Sequence, residues 1–146
     1  MPECIFCRII NRESPASLVY EDEACLAFMD IQPVTPGHVL VIPRKHAVSL
    51  ADMDAGECGR LFSAAHALAA AVRASGLRCE GINLLLADGE AAGQEVFHVH
   101  VHVFPRFAGD GFGFTFGPQY ANLPARRELD ERADRIRAAL DNADPH

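Results

Sequence analysis

Positive charge is scarce in this chain: 13 Lys and Arg stand against 20 Asp and Glu, for a formal net charge of −7. That balance argues against a nucleic-acid polymer as partner, because a groove for one needs a basic face, and leaves room only for a small anionic ligand held by local donors. Long apolar runs are missing as well. Nowhere does the chain reach the ~18 uninterrupted apolar residues of a membrane span, and its start, Met-Pro-Glu-Cys, has neither the basic nor the apolar region of a secretory signal. A soluble, cytoplasmic protein is expected. Cysteines are few, five in all, an odd count without framework spacing, which fits free thiols or a metal site better than disulfides. No internal repeat or low-complexity tail is found. What remains is 146 residues with 49% hydrophobic content, enough for one domain with a real core, so a single domain over 1–146 is expected.

Cys4 to Ile10 reads as a short apolar helical turn stopped by the stretch from Asn11 to Pro15. Leu18–Glu21 and Cys25–Asp30, split by the acidic turn Asp22-Glu23, read as a hairpin. After a Pro/Gly-rich loop, His38–Pro43 is apolar on both faces and predicts a central strand. Asp54 with Glu57 resembles a capping box, and Leu61, Phe62, Ala65, Leu68, Ala69 and Val72 then repeat at helical spacing to about Ser75-Gly76. Gly81–Ala87 predicts another strand, Asp88–Gly93 a small-residue loop, and Val96–Phe104 a strand closed by Pro105. Leu129, Ala133, Ile136 and Leu140 mark a final amphipathic helix over about 126–140, with Glu128/Arg132 as an i,i+4 pair. Strands joined by short turns, with helices between and after them, predict an α+β domain with a mainly antiparallel sheet.

The most informative segment is His98-Val99-His100-Val101-His102-Val103. Alternation in an extended strand sends the imidazoles to one face and the valines to the other. A row of imidazoles suits a tetrahedral anion such as phosphate, and a neutral imidazole is a nucleophile able to take a nucleotidyl group and return it to water. The middle ring, His100, is the candidate nucleophile. His102 is placed on the phosphate oxygens, and backbone N–H groups of Gly93-Gln94-Glu95 are candidate donors to the same oxygens. Two other readings of the row stand beside this one: ordinary packing of half-buried histidines, and three ligands of a catalytic zinc. Same-face neighbours sit roughly 6.5–7 Å apart in a strand, which makes convergence of all three rings on one ion difficult. His38 and His66 are read as structural or solvated residues.

His-Val-His-Val-His-Val-Phe-Pro-Arg from His98 to Arg106, preceded by Ala92-Gly93-Gln94, resembles the signature of the histidine triad family of nucleotide hydrolases and transferases. Ala27 to Ile31, Pro36-Gly37-His38, Val41 to His46 and Asp110 to Gly113 are similar to it as well, so the resemblance spans about 4–113. It implies a two-layer fold with a five-stranded antiparallel sheet, and a homodimer joined edge to edge. It also implies a covalent nucleotidyl intermediate on His100, formed from nucleoside phosphoramidates or dinucleoside polyphosphates, and an Asp30 that accepts hydrogen bonds from ribose hydroxyls. Two departures bear on the leaving group. Ala87 stands eleven residues before the first triad histidine, where many members carry an amide, and Glu95 stands where Ser or Thr often follows Gly-Gln.

Cys4 and Cys7, in a Cys-x-x-Cys spacing, supply half of a tetrahedral zinc site; a redox pair and plain buried thiols are the alternatives. In the branch of the triad family with this N-terminal motif, the resemblance implies a structural zinc completed by His46 and by the first triad histidine, His98.

Overall fold

Alternation on three neighbouring strands gives this protein a sheet with two apolar faces. The computed structural model describes residues 3–143, which fall into two compact units divided after Gly111. In the first unit the order is α1 (Ile5–Ile10), β1 (Leu18–Glu21), β2 (Cys25–Met29), β3 (Val39–Pro43), α2 (Ala55–Ala74), β4 (Gly81–Leu86) and β5 (Val101–Arg106). The strands form one five-stranded sheet in the order β1-β2-β3-β5-β4, with every neighbouring pair antiparallel. On one face Cys25, Ala27, Val39, Val41, Val99, Val101 and Val103 pack with Leu61, Ala64, Ala65, Leu68 and Val72 of α2. On the other, Leu26, Phe28, Leu40 and Ile42 pack with Phe6 and Ile9 of α1. Each such side chain removed from water contributes roughly 1.5–3 kcal/mol. A helix of six residues is far below the length that is stable alone, so α1 depends on tertiary contacts, this packing among them.

The start of α2 is set by Asp54, whose Oδ1 accepts the N–H of Glu57 at 2.8 Å. Phe62, expected in the core, is instead 60% exposed. The helix buries the stripe of Leu61, Ala64, Ala65, Leu68 and Val72, and Phe62, one residue round from Leu61, is turned out of it. The histidine strand also starts later and runs further than its pattern implies, from Val101 through Pro105 to Arg106. Pro105 is tolerated because β3 pairs with β5 only as far as Val103. Its carbonyl accepts Thr35 Oγ1–H at 2.7 Å from the β3 side, and the missing N–H points the same way, where no ladder bond is needed. Gly37, at φ +106°, leads into this edge; a Cβ there would lie 3.0 Å from Leu77 Cδ1 and 3.3 Å from Pro105 Cγ, so only glycine fits without displacement.

The second unit carries exposed aromatic residues, with Phe116 stacked on Tyr120 at 4.0 Å between centroids, followed by α3 (Arg126–Asn142). Leu129, Ile136 and Leu140 form an exposed apolar stripe on α3, and Arg132 pairs with Glu128 at 3.7 Å. Among the described residues no helix is long and apolar enough to cross a membrane.

Candidate functional site

His102 lies on β5 and His98 and His100 in the segment that leads into it, and each ring is tied to a different partner. His100 is buried, and its Nδ1 lies 2.7 Å from the carbonyl oxygen of His98. A carbonyl only accepts, so Nδ1 carries the hydrogen and Nε2 keeps the lone pair. His102 Nδ1 lies 2.9 Å from Nε2 of His38, whose own Nδ1 accepts the N–H of Val34 at 3.0 Å. The chain of donors therefore runs from Val34 N–H to His38, and from His38 Nε2–H to His102, which leaves His102 with its hydrogen on Nε2. Burial, with His100 and His38 beside it, pushes the His102 pKa down to about 4, so this ring is a neutral donor near pH 7. Burial also lowers His38, opposed by the charge of Asp30.

His100 and His102 line a cavity of about 590 Å³. Its lining combines the apolar side chains of Ile5, Phe6, Phe28 and Ile31 with the two histidines, Asp30, Gly93 and Glu95. Asp30 sits just past β2; its Oδ1 accepts Gln32 N–H at 2.8 Å and its Oδ2 lies 3.5 Å from His38 Nε2. The cavity thus pairs an apolar slot with a neutral N–H donor, a lone pair and a carboxylate, a set suited to a base, a phosphate and a sugar.

The loop before the strand behaves differently from its sequence reading. Gly93 borders the cavity, but its N–H donates to Glu90 O at 2.9 Å, and Gln94 N–H donates to Gly89 O at 3.1 Å. The Gln94 amide is consumed too, accepting Gly89 N–H and donating to the carbonyls of Val48 and Val96. These groups close a tight turn on themselves, so the expected phosphate donors of Gly93 and Gln94 are spent on holding the loop. Asp88 likewise turns to Leu50 N–H at 3.1 Å. His38, read from sequence as structural, is 2% exposed and is the residue that orients His102. Its position directly before the alternating β3, on the same face as Leu40 and Ile42, is the signal that placed it within reach.

His98, the first of the three, faces away from the cavity toward a second cluster. Cys4, Cys7, His46 and His98 bring their donor atoms within 4.8 Å of one another. Cys4 Sγ and Cys7 Sγ lie 3.4 and 3.7 Å from His98 Nδ1, Cys7 Sγ lies 3.3 Å from His46 Nδ1, and the two imidazole nitrogens are 3.1 Å apart. Tetrahedral Zn²⁺, with bonds of about 2.3 Å to sulfur and about 2.0–2.1 Å to nitrogen, sets sulfur–nitrogen edges of about 3.6 Å and nitrogen–nitrogen edges of about 3.3 Å. The donor set fits that ion in type, number and spacing. His98 Nε2–H donates to Pro43 O at 2.8 Å, fixing the tautomer that turns the Nδ1 lone pair to the cluster, and burial pushes this imidazole below its ordinary pKa. With His98 committed here, His100 to a carbonyl and His102 to His38, the three rings of the row do not converge on one ion.

The HIT domain profile matches residues 11–109. An uncharacterized HIT-like protein of Borreliella burgdorferi is 50% identical over 118 residues, covering 80% of this chain and 85% of that one. An adenylylsulfatase of Arabidopsis thaliana is 39% identical over 108 residues, 71% of this chain and 52% of that one. Among solved structures, a zinc-bound histidine triad family protein of Mycobacterium smegmatis superposes with a TM-score of 0.73 at 39% identity, covering 97% and 98% of the two chains. A histidine triad nucleotide-binding protein of Candida albicans gives 0.84 at 28% identity, covering 97% and 100%. The fold and the histidine row define a histidine triad domain, and the chain belongs to the HIT family. Its Cys4, Cys7, His46 and His98 cluster fits the zinc-binding branch of that family.

Proposed function

We propose that this protein is a nucleotide hydrolase or nucleotidyl transferase that works through a covalent nucleotidyl-His100 intermediate. The observation that carries the reading is the pair of fixed tautomers: a lone pair on His100 Nε2 beside an N–H on His102 Nε2, in the lining of a nucleotide-sized cavity. His100 Nε2 attacks the α-phosphorus, and the bond to the leaving group breaks with its electron pair going to that group. Water, or the hydroxyl of a second acceptor, then attacks phosphorus and releases its proton to solvent; the phosphorus–nitrogen bond breaks and the lone pair returns to Nε2. His102 meets the phosphate oxygens through Nε2–H, where charge accumulates. Asp30 accepts from the ribose hydroxyls, and Ile5, Phe6, Phe28 and Ile31 hold the base.

Zinc on Cys4, Cys7, His46 and His98 supplies a structural cross-link, since all four places are protein donors. The same His98 lends its carbonyl to His100, so the link lies next to the nucleophile. A homodimer joined along β4 is also proposed: β4 is an edge strand, and Leu84 and Leu85 stand exposed on it. Sedimentation equilibrium is expected to give twice the mass of one chain; a monomer at tens of micromolar would overturn the dimer.

Phosphoramidates, dinucleoside polyphosphates and, from the Arabidopsis relative, adenylyl sulfate are the donor classes to compare. Turnover of at least one of them well above the buffer rate is expected. Glu95, which faces the cavity and repels a phosphate, together with Ala87 in place of an amide, favours a second reading as a nucleotide-binding protein with weak catalysis. Tight nucleotide binding without turnover of any donor would select that second reading.

His38 acts as a positioning residue. His38→Phe fills the same volume without either hydrogen bond and is expected to lower kcat about 10²-fold, while ¹⁵N shifts of His102 change from one tautomer to a mixture. Unchanged shifts and unchanged kcat would remove His38 from the mechanism.

A further inference from the structure

The two thiols of the metal cluster bracket two residues of the cavity wall. In Cys4-Ile5-Phe6-Cys7 the outer pair faces His46 and His98, whereas Ile5 and Phe6 line the cavity. Phe6 stands edge-on to His100 at 5.2 Å and to His98 at 5.7 Å between centroids, and meets Phe28 at 5.4 Å. One short segment therefore serves both sites. It opens a helix of six residues, too short to keep its own shape, so the direction in which Ile5 and Phe6 present themselves depends on what anchors the residues at either side.

From this we infer that metal on Cys4 and Cys7 sets the nucleobase wall, and that metal and nucleotide binding are thermodynamically coupled through it. The inference rests on the zinc and nucleotide readings above and goes beyond them by linking the two. Coupling of this kind is reciprocal: the factor by which metal tightens the nucleotide is the factor by which the nucleotide tightens the metal. A factor of about ten is expected, within the usual range for linked sites. Because Ile5 and Phe6 offer only apolar side chains to the cavity, the effect belongs to the base and not to the phosphate.

The test uses the full chain with Zn²⁺, adenosine monophosphate as probe and ribose 5-phosphate as the base-free control, each ligand at a concentration that saturates the loaded protein. Zinc affinity is read by competition with a chelating dye. Adenosine monophosphate is expected to tighten zinc about tenfold, ribose 5-phosphate to leave it within twofold, and calorimetry to show the same tenfold change in nucleotide affinity between loaded and zinc-free chain. Ile5→Ala, at a side chain already 43% exposed, is expected to retain zinc and to reduce the coupling to below twofold. Equal tightening by both probes would overturn the inference by placing the coupling at the phosphate end or in global folding. Independent binding of zinc and nucleotide would overturn it while leaving both sites standing. Absence of zinc binding, or of nucleotide binding, would overturn it together with the corresponding reading above.

Discussion

His100→Asn is expected to lower kcat by at least about 10⁴-fold, since removal of a nucleophile eliminates the covalent route and leaves only binding and electrostatic effects. Asparagine keeps a polar side chain of similar reach and retains a donor for the His98 carbonyl, so the packing against Phe6 and the cavity itself should survive. Nucleotide affinity, read by calorimetry, is expected to stay within about threefold of the unsubstituted chain, because the base slot and Asp30 are untouched. The split is diagnostic. Loss of turnover with retained binding marks a residue used in the chemical step, whereas parallel loss of both would point to a collapsed site. A variant that still turns over its donor at a comparable rate would remove His100 as nucleophile and return the row to a binding role.

Removal of the thiol pair has the second large expected effect. The purified protein is expected to carry one zinc per chain, and Cys4→Ser/Cys7→Ser only a background level, because serine does not supply the soft thiolate that zinc prefers. Structural zinc stabilises the folded state by mass action, and its loss here is expected to cost at least about 3 kcal/mol in urea unfolding. The largest losses should fall on α1, which is capped by Cys4, contains Cys7 and buries only Phe6 and Ile9. The pH dependence has a definite sign. Burial, and then Cys4 beside it, push the Cys7 thiol up to about 11 in the metal-free chain, so zinc must displace protons on binding, and its retention weakens as pH falls. An equal and low zinc content in both proteins at neutral pH would eliminate the site.

Much of this architecture is legible in the residues because two short periods govern it. The period of two over His98–Val103 separates an imidazole face from a valine face, and Val99, Val101 and Val103 lie within the α2-side core as that period requires. Asp54 with Glu57 marks the start of α2, and the Cys-x-x-Cys spacing marks one half of a metal cluster. Local pattern carries less where the deciding partner is distant. His38 acquires its role from His102, 64 residues away; its place before β3 gives its face, and the local residues do not name the partner. Gly93 and Gln94 look like phosphate donors until the carbonyls of Glu90 and Gly89 take their N–H groups. Phe62 differs from a core residue only by its angle around α2, which a mixed stripe of alanines does not specify. The later start of β5 follows from pairing with β3, which reaches only from Val101 to Val103.

The HIT profile match, 11–109, and the site residues lie in the first unit, 1–111, while the aromatic segment and α3 belong to the second. We propose that both fold as parts of one domain, with the second as a helical extension. The exposed stripe of Leu129, Ile136 and Leu140 then adds apolar surface to the second unit, as Leu84 and Leu85 do to the first.

The most direct test of the account is capture of the intermediate. The protein is mixed with a nucleotide donor, quenched in alkali to preserve the phosphorus–nitrogen bond, digested and read by mass spectrometry. A single nucleotidyl group on the peptide spanning His98 to His102, localised to His100 and missing from His100→Asn, is the expected result. Turnover with no adduct at any time point, or an adduct on a different side chain, would contradict it.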